Sequence, residues 1–224
     1  MWLFLTLSMY FTSKFFCAKF KNPLCNPLLF SISIIIFTLI VLGVPYGEYY
    51  DDNKLLSYFL EPAIIAMAYP IYTQLANIKK NMKLILGTCI FGSIFSMISG
   101  GFIALYLGAD SLLIASVLTK SVTVPIAMES TSQLGGDVSV TAVLVLFAGL
   151  AGAIIAYPIY TLMRVNNKII RGLTIGASSH ALGTAQAIAN NPDDAAYSSL
   201  ALVLCGIFTS ILAPLIYPII LWFI

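Results

Sequence analysis

Residues 138 to 164 read "VSVTAVLVLFAGLAGAIIAYPIYTLMR", an apolar run in which Arg164 is the first charged side chain. A helix needs about 20 such residues to cross the hydrocarbon core of a bilayer. Of the 224 residues in the chain, 60% are hydrophobic and 9% are charged, and the mean hydropathy is +0.97. We therefore predict an all-α, polytopic integral membrane protein. No polar stretch is long enough to fold as a soluble domain, so we expect a single transmembrane domain over residues 1–224.

Six apolar runs are predicted to form full transmembrane helices, and two further segments are interrupted by small and polar residues. The six runs cover residues 1–16, 27–45, 57–76, 82–107, 138–163 and 197–223. The interrupted segments, 111–133 and 168–190, are predicted to be broken or re-entrant helices. No basic residues precede the first run and no small-residue cleavage site follows it, so we expect it to be retained as a helix.

The distribution of charge predicts which loops face the cytoplasm. Basic clusters follow the runs that end near residues 16, 76 and 163, and such clusters favour the cytoplasmic side. Asp110 and Asp137 are then both predicted to lie on the outer, non-cytoplasmic side of the membrane. The segment between them must enter and leave the membrane on one face, which predicts a re-entrant hairpin or a broken helix over 111–133. For 168–190, crossing and re-entry both stay open.

The first interrupted segment contains "SVLTKSVTVPIAMES" at 116–130, with a lysine inside an apolar run. A lysine that faces lipid at the centre of a helix costs about 2.5–3.5 kcal/mol, so Lys120 needs water, a partner or a ligand. Ser121 and Thr123 add hydroxyl groups, and Pro125 removes a backbone donor and frees a carbonyl one turn earlier. Unwound backbone, hydroxyls and one cation together favour the binding of a small carboxylate.

The second interrupted segment contains "TIGASSHALGTAQA" at 174–187, which holds the only histidine of the chain. Gly172 and Gly176 begin a series of small residues at a spacing of four, which permits close helix contact. Gly183 is a candidate for a break in the helix. Polar side chains here would then face a cavity inside the protein. His180 can change charge near neutral pH, which would suit proton coupling.

Both segments also have an ordinary structural interpretation. Lys120 could snorkel to a lipid headgroup or pair with Glu129 or Asp137. His180 could form one hydrogen bond between helices and have no part in transport. The residues alone leave these alternatives open.

Several blocks of sequence follow one another in an order that points to a known family. They are "NPLL" at 26–29, "PAIIAMAYPIY" at 62–72, "KSVTVPIAM" at 120–128, "RGLTIGASSHALGTAQA" at 171–187 and "SSLALVLCGIFTSILAP" at 198–214. With these blocks the chain resembles the LrgB/CidB family of membrane proteins over nearly its whole length. The resemblance implies a multi-pass protein of the bacterial inner membrane.

The resemblance implies two kinds of function. Some bacterial members are described as antiholin-like modulators of murein hydrolase activity and autolysis, which act with a small holin-like LrgA/CidA partner in the membrane. Other members resemble carriers of small monocarboxylates, namely glycolate, glycerate or pyruvate. Assembly into a homo-oligomer stays open.

The family pattern implies a set of substrate-binding residues in the two interrupted segments. They are Lys120, Ser121, Thr123, Pro125, Ser178, Ser179, His180, Gly183, Thr184 and Gln186. Two positions depart from the pattern. Thr119 stands where relatives often have proline, and Gln186 stands where they often have arginine or lysine. If that basic residue binds substrate in relatives, Lys120 is the main cation that remains here.

The sequence favours a monocarboxylate carrier over a holin-like regulator, because associating apolar helices do not need a lysine flanked by hydroxyls and a proline in mid-membrane. The regulator stays the alternative. An enzyme is not expected, since no HExxH or GxSxG motif and no intramembrane aspartate pair is present. We expect no cofactor and no metal. The charge lies in clusters beside helix ends, which indicates contact with the lipid bilayer and not with nucleic acid.

Overall fold

The structure is a computed structural model that describes residues 1–19, 27–59, 62, 65, 69, 72 and 75–223. All regular secondary structure in these residues is helical, so the all-α prediction is confirmed for them. The chain divides into two compact units, Met1–Ile65 and Ala66–Ile224, which are described separately. The expectation of a single transmembrane domain stays a prediction.

The first unit contains α1 (Trp2–Ala18), α2 (Pro27–Leu42) and α3 (Tyr46–Tyr58). The α3 helix begins after Pro45 and covers the stretch between the predicted helices 27–45 and 57–76, where the sequence predicts no helix. Contacts with α1 stabilise this polar helix: the Trp2 indole donates to Glu48 Oε1 at 3.1 Å, and the Trp2 amide donates to Asp52 Oδ2 at 3.1 Å. Hydropathy could not predict α3, because its stabilising contacts are polar and come from a distant segment.

Two predicted helices in this part of the chain differ from the structure or lie largely outside the described residues. The predicted helix 27–45 ends earlier, at Leu42, because Gly43 adopts a φ of +63° and the Val44 amide bonds back to Leu39. The predicted helix 57–76 overlaps the end of α3, and most of it lies outside the described residues.

The second unit contains the remaining helices. They are α4 (Leu75–Lys80), α5 (Met82–Tyr106), α6 (Ser111–Leu118), α7 (Val124–Leu134), α8 (Val138–Leu162), α9 (Lys168–Asn190) and α10 (Pro192–Leu221). Among the described residues, α5, α8 and α10 are long and apolar enough to cross a membrane, and α2 contains a shorter apolar stretch. These helices fit a membrane protein, while the number of about six full spans stays a prediction.

The predicted segment 111–133 is interrupted between α6 and α7. Asp110 caps the start of α6 through a 2.8 Å bond from the Leu113 amide, and α7 closes at Gly135, whose φ is +75°. The Asp137 amide, at the start of α8, donates to Ser116 Oγ of α6 at 2.8 Å. The start of α8 therefore lies beside α6, as expected for a hairpin whose two ends are close together.

The predicted segment 168–190 coincides with α9, and its break lies at His180, where φ is +39° and ψ is −131°. The prediction that Gly183 forms the break is wrong. Gly183 lies in helical backbone, and its missing Cβ lets it approach the Ser179 side chain and the Ile175 carbonyl. The break lies three residues earlier because the buried His180 ring is fixed against α8.

The α9 helix packs closely against α10. A Cβ on Gly172 would lie 2.5 Å from the Asp194 carbonyl, and one on Gly176 would overlap Ser198. This confirms the close contact that the spacing of small residues predicts. The α10 helix begins at Pro192 and not at residue 197, because the Asn191 side chain caps it by accepting the Asp193 amide at 2.9 Å.

Two apolar clusters hold α10 at the centre of this unit. One joins residues of α5, α9 and α10 around Ile85, Leu173 and Leu200. The other joins α5, α6 and α10 around Met97 and Leu118. These contacts set the positions of the helices that surround the turn between α6 and α7.

Candidate functional site

A cavity of about 660 Å³ lies between α5, the α6–α7 turn, α8 and α9. Its wall is mostly apolar, with side chains such as Phe91, Phe95 and Ile155. The polar groups that matter for its chemistry are Ser96, Lys120, Ser121, Tyr160, Thr174 and Ser178. Among the described residues, Lys120 is the only charged side chain in this lining. The cavity thus presents one cation in an apolar surround.

Ser96 of α5 holds the Lys120 ammonium group. Lys120 Nζ donates to the Ser96 carbonyl oxygen at 3.2 Å and lies 3.3 Å from Ser96 Oγ. The Oγ atoms of Ser96 and Ser121 are 2.5 Å apart. Because an ammonium group only donates, Ser96 Oγ accepts from Lys120, and its own proton is free for Ser121.

Gly100 leaves space for the ammonium group. A Cβ on this residue would lie 2.6 Å from Lys120 Nζ and 3.4 Å from its Cε. Gly100 follows Ser96 by one helical turn, so both face the same lysine. The position of Lys120 is therefore set by α5 as well as by its own turn.

No carboxylate neutralises Lys120 within the described part of the chain. The two partners that the sequence suggests, Glu129 and Asp137, form other hydrogen bonds. Glu129 Oε1 accepts from the Gln133 side chain at 3.0 Å, and Asp137 Oδ1 accepts from backbone amides at the start of α8. The interpretation of Lys120 as one half of an ion pair with either residue is therefore wrong.

Ser178 brings the second interrupted segment to the same cavity. Its hydroxyl donates to the Thr174 carbonyl at 2.8 Å and lies 3.0 Å from Ser179 Oγ. Of the residues predicted to bind substrate, the structure thus places Lys120, Ser121 and Ser178 on one cavity.

His180 does not line the cavity. The residue is 2% exposed, and its Nε2 atom lies 2.9 Å from the Val145 carbonyl oxygen. Its ring occupies the space beside Gly149. The role of His180 in proton coupling stays a prediction, and such a role would have to act through the packing of α9 and not through direct contact with a molecule in the cavity.

Two other predicted residues of α9, Ser179 and Thr184, lie in its contacts with α8 and α10. The Ser179 side chain fills the space next to Gly152 of α8. Thr184 donates to the His180 carbonyl at 2.9 Å and lies 2.7 Å from Ser198 Oγ of α10. Gln186 is half-buried in α9 and outside the cavity lining.

Thr123 and Pro125 lie at the start of α7. Thr123 is buried at the N-cap, and its hydroxyl has no hydrogen-bond partner among the described residues. Pro125 lies in the first helical turn, where a backbone donor would have no intrahelical partner anyway. Pro125 therefore helps to start α7 directly after the turn that carries Lys120.

Sequence reasoning missed the contribution of α5. Thr88, Gly92 and Ser96 line the cavity, and Gly100 contacts Lys120. These four residues recur every fourth position, so a stripe of small and hydroxyl-bearing residues marks one face of an otherwise apolar helix. This spacing is visible in the sequence and could have identified the face.

In the described residues, no group of three or more histidine, cysteine, aspartate or glutamate side chains is placed to hold a metal ion. The polar groups of the cavity are Lys120 and hydroxyl groups.

Comparison with known proteins identifies the family. The model of the LrgB-like family matches residues 6–219. The chain belongs to the LrgB-like family. The blocks around Lys120 and His180 both fall inside the matched region, so the resemblance seen in the sequence is confirmed.

Relatives in this family cover almost the whole chain. An uncharacterized protein of Haemophilus influenzae is 38% identical over 224 residues, which is 100% of this chain and 97% of that protein. YxaC, an uncharacterized protein of Bacillus subtilis, is 33% identical over 96% of this chain and 93% of its own length. The holin-like protein CidB of Staphylococcus epidermidis is 30% identical over the same shares. No solved structure matches the chain.

Proposed function

We propose that this LrgB-like protein carries small monocarboxylates of the glycolate, glycerate or pyruvate type across the bacterial inner membrane. The observation that supports this most is the single cation of the cavity. Lys120 faces about 660 Å³ of mostly apolar space, and no carboxylate among the described lining residues balances its charge. An unpaired charge in such surroundings is unfavourable, and a bound monoanion relieves it.

The hydrogen bonds around Lys120 suit a carboxylate in particular. An ammonium group has three donors, and two are directed at Ser96. The third is left for a ligand. Either hydroxyl can donate the bond between Ser96 Oγ and Ser121 Oγ; when Ser96 donates it, the Ser121 proton is also free for a ligand. Two donors side by side match the two oxygens of one carboxylate.

The same charge count predicts which acids are rejected. A dicarboxylate would bring a second negative charge into an apolar wall that has no second cation among the described lining residues. Desolvation of that charge is costly. We therefore propose that the cavity selects acids with one carboxylate and a short, uncharged remainder.

The proposed transport site needs the predicted membrane topology. In this proposal α6 and α7 form a re-entrant hairpin, and its turn carries Lys120 to the middle of the membrane. The break at His180 lies in the facing helix. Interrupted helices that meet at mid-membrane are a common basis for transport sites.

A second candidate function rests on the names of the relatives. The CidB proteins of Staphylococcus are described as holin-like, and these names support a holin-like modulator of murein hydrolase activity and autolysis more directly than they support a carrier. Such a protein would act with a small LrgA/CidA-like membrane partner. The carrier is our main proposal because associating helices alone do not require the arrangement around Lys120.

One reconstitution experiment separates the two functions. Purified protein in liposomes is assayed for uptake of labelled glycolate, glycerate, pyruvate and malate, and separately for release of a trapped fluorescent dye. The variants are Lys120→Ala and, as a matched control, Lys168→Ala, because Lys168 is exposed, pairs with Asp193 and lies outside the cavity.

A carrier should take up at least one monocarboxylate and exclude malate, and Lys120→Ala should abolish uptake while Lys168→Ala should not. Dye release without selective uptake would favour the holin-like function. Uptake that survives Lys120→Ala unchanged would refute the proposed site.

A further inference from the structure

A second, smaller cavity lies at the turn between α8 and α9. It has a volume of about 240 Å³, and its lining includes Tyr157, Tyr160, Arg164, Asn166 and Arg171. The chain contains two arginines and nine lysines, and both arginines line this one cavity. Arginine differs from lysine in presenting a planar fork of donors to carboxylates and phosphates. We call this cavity the arginine pocket.

Arg171 forms one fixed wall of the arginine pocket. Its Nη2 atom donates to Asp194 Oδ1 at 3.0 Å, and its Nε atom lies 3.0 Å from Oδ2. The Tyr157 hydroxyl donates to the same carboxylate at 3.0 Å. Asp194 is 0% exposed. This pair is neutral overall, so Arg171 shapes the pocket and adds no net charge to it.

Arg164 supplies the net charge. It is exposed and forms no ion pair within the described part of the chain. Asn166 is also exposed and lines the same pocket. The guanidinium of Arg164 and the side-chain amide of Asn166 therefore remain available to a ligand. They lie in the same pocket as Arg171, whose charge Asp194 already neutralises.

The backbone holds Arg164 in an unusual conformation. Its φ of +54° ends α8, and the Val165 amide bonds back to the Tyr160 carbonyl at 2.8 Å. Gly43, Gly108 and Gly135 have positive φ at three other helix ends, as expected where L side chains are disfavoured. An arginine at such a position costs free energy that glycine would not.

We propose that the arginine pocket binds one small monoanionic group, a carboxylate or a phosphate, between Arg164 and Asn166. The guanidinium binds two oxygens of the group, and the amide of Asn166 donates to one of them. The phosphate source would be either a soluble anion or the headgroup of an acidic lipid at the membrane surface.

Tyr160 separates this pocket from the cavity that contains Lys120, since its side chain lines both. Its hydroxyl lies 2.7 Å from Thr174 Oγ1 and donates to the Arg171 carbonyl at 3.1 Å. The two sites are therefore neighbours with different cations, and binding at one can be measured while the other is mutated.

The test is site-resolved protection of Arg164. Full-length protein in neutral detergent is treated with phenylglyoxal, and the modification rate of Arg164 is followed by peptide mass spectrometry. The probes are acetate, inorganic phosphate and dihexanoyl phosphatidylglycerol, with ionic strength held constant by sodium chloride. At about ten times the Kd of a probe, the rate should fall about tenfold, because mass action leaves about one protein in eleven unoccupied.

Three variants locate the effect. Asn166→Ala should raise the probe concentration that gives half protection, while Lys168→Ala, at the start of α9 but outside the pocket, should leave it unchanged. Lys120→Ala should also leave it unchanged, which separates this inference from the proposed transport function.

Protection by acetate or phosphate would support the site with a soluble anion as its ligand. Protection by the lipid alone would support it with a headgroup as the ligand. An Arg164 rate that none of the probes changes, or protection that is the same in Asn166→Ala, would overturn the inference.

Discussion

The His180 ring of α9 packs directly against Gly149 of α8 in the second unit. The imidazole lies where a Cβ on Gly149 would be, and its Nε2 atom is 2.9 Å from the Val145 carbonyl one turn earlier. At this contact His180 has a φ of +39°, a conformation that costs a residue with a side chain about 1–3 kcal/mol. The packing on α8 must therefore stabilise the break in α9.

A methyl group on Gly149 should destabilise the protein. In Gly149→Ala the new Cβ overlaps the His180 ring, and overpacking of this kind costs about 1–3 kcal/mol. The control is Gly87→Ala in α5, where nothing lies within 4 Å of the added methyl group. This control should be neutral or slightly stabilising, because alanine favours helix over glycine by about 0.5–1 kcal/mol.

The free energy of unfolding of both variants can be measured by denaturant titration in detergent. Equal unfolding free energies for Gly149→Ala and Gly87→Ala would show that the His180 ring does not occupy this position.

Under the proposed transport function, Ser96→Ala should weaken substrate binding, because it removes the hydroxyl that orders Lys120 and Ser121. Hydrogen bonds to charged groups contribute about 1.5–3 kcal/mol, so KM should rise roughly tenfold or more. Ser99→Ala is the matched control. Ser99 also lines the cavity, but its hydroxyl bonds to its own helix at the Phe95 carbonyl. Initial uptake rates into proteoliposomes at a series of substrate concentrations give the two KM values, and a similar rise in both would contradict the assigned role of Ser96.

The sequence predicts the long helices and the two interrupted segments well, for a physical reason. Length and hydropathy determine α5 and α8 almost to the residue, and an isolated lysine with a nearby proline marks the turn between α6 and α7. Such signals are local. Hydropathy places the start of α10 too late, because the Asn191 cap and the residues after it are polar.

Long-range contacts explain what the sequence could not predict. The break in α9 lies at His180 because the ring fits against Gly149 of another helix, and no local pattern indicates this. The importance of Ser96 depends on which face of α5 meets Lys120. Only the spacing of small residues along α5 hinted at that face.

Gly100→Ala should impair uptake by displacing the cation. The new Cβ would lie 2.6 Å from Lys120 Nζ, so the ammonium group must move away from Ser96. Gly92→Ala on the same helix adds a methyl group that lies 3.8 Å from Ala177, an ordinary contact. We expect a loss of monocarboxylate uptake in Gly100→Ala and near-normal uptake in Gly92→Ala at equal protein incorporation. Normal uptake by Gly100→Ala would mean that the position of Lys120 is not important for transport.

Two neighbouring aspartates of α10 should differ greatly in their effect on stability. Asp194 is fully buried and pairs with Arg171, whereas Asp193 pairs with Lys168 at the surface, with side chains 62% and 54% exposed. Removing one partner of a buried pair costs about 3–5 kcal/mol, because the other charge is left uncompensated. An exposed pair is well solvated and contributes little to stability.

Asp194→Ala should therefore lower the free energy of unfolding by several times more than Asp193→Ala, as measured by the same denaturant titration. Salt should distinguish them further, since screening weakens the exposed pair and hardly affects the buried one. A double variant in which Arg171→Met accompanies Asp194→Ala should recover part of the loss, because no buried charge is then left unpaired. If the double variant is no more stable than Asp194→Ala alone, the loss comes from the Tyr157 hydrogen bond or from packing, and not from the stranded charge of Arg171.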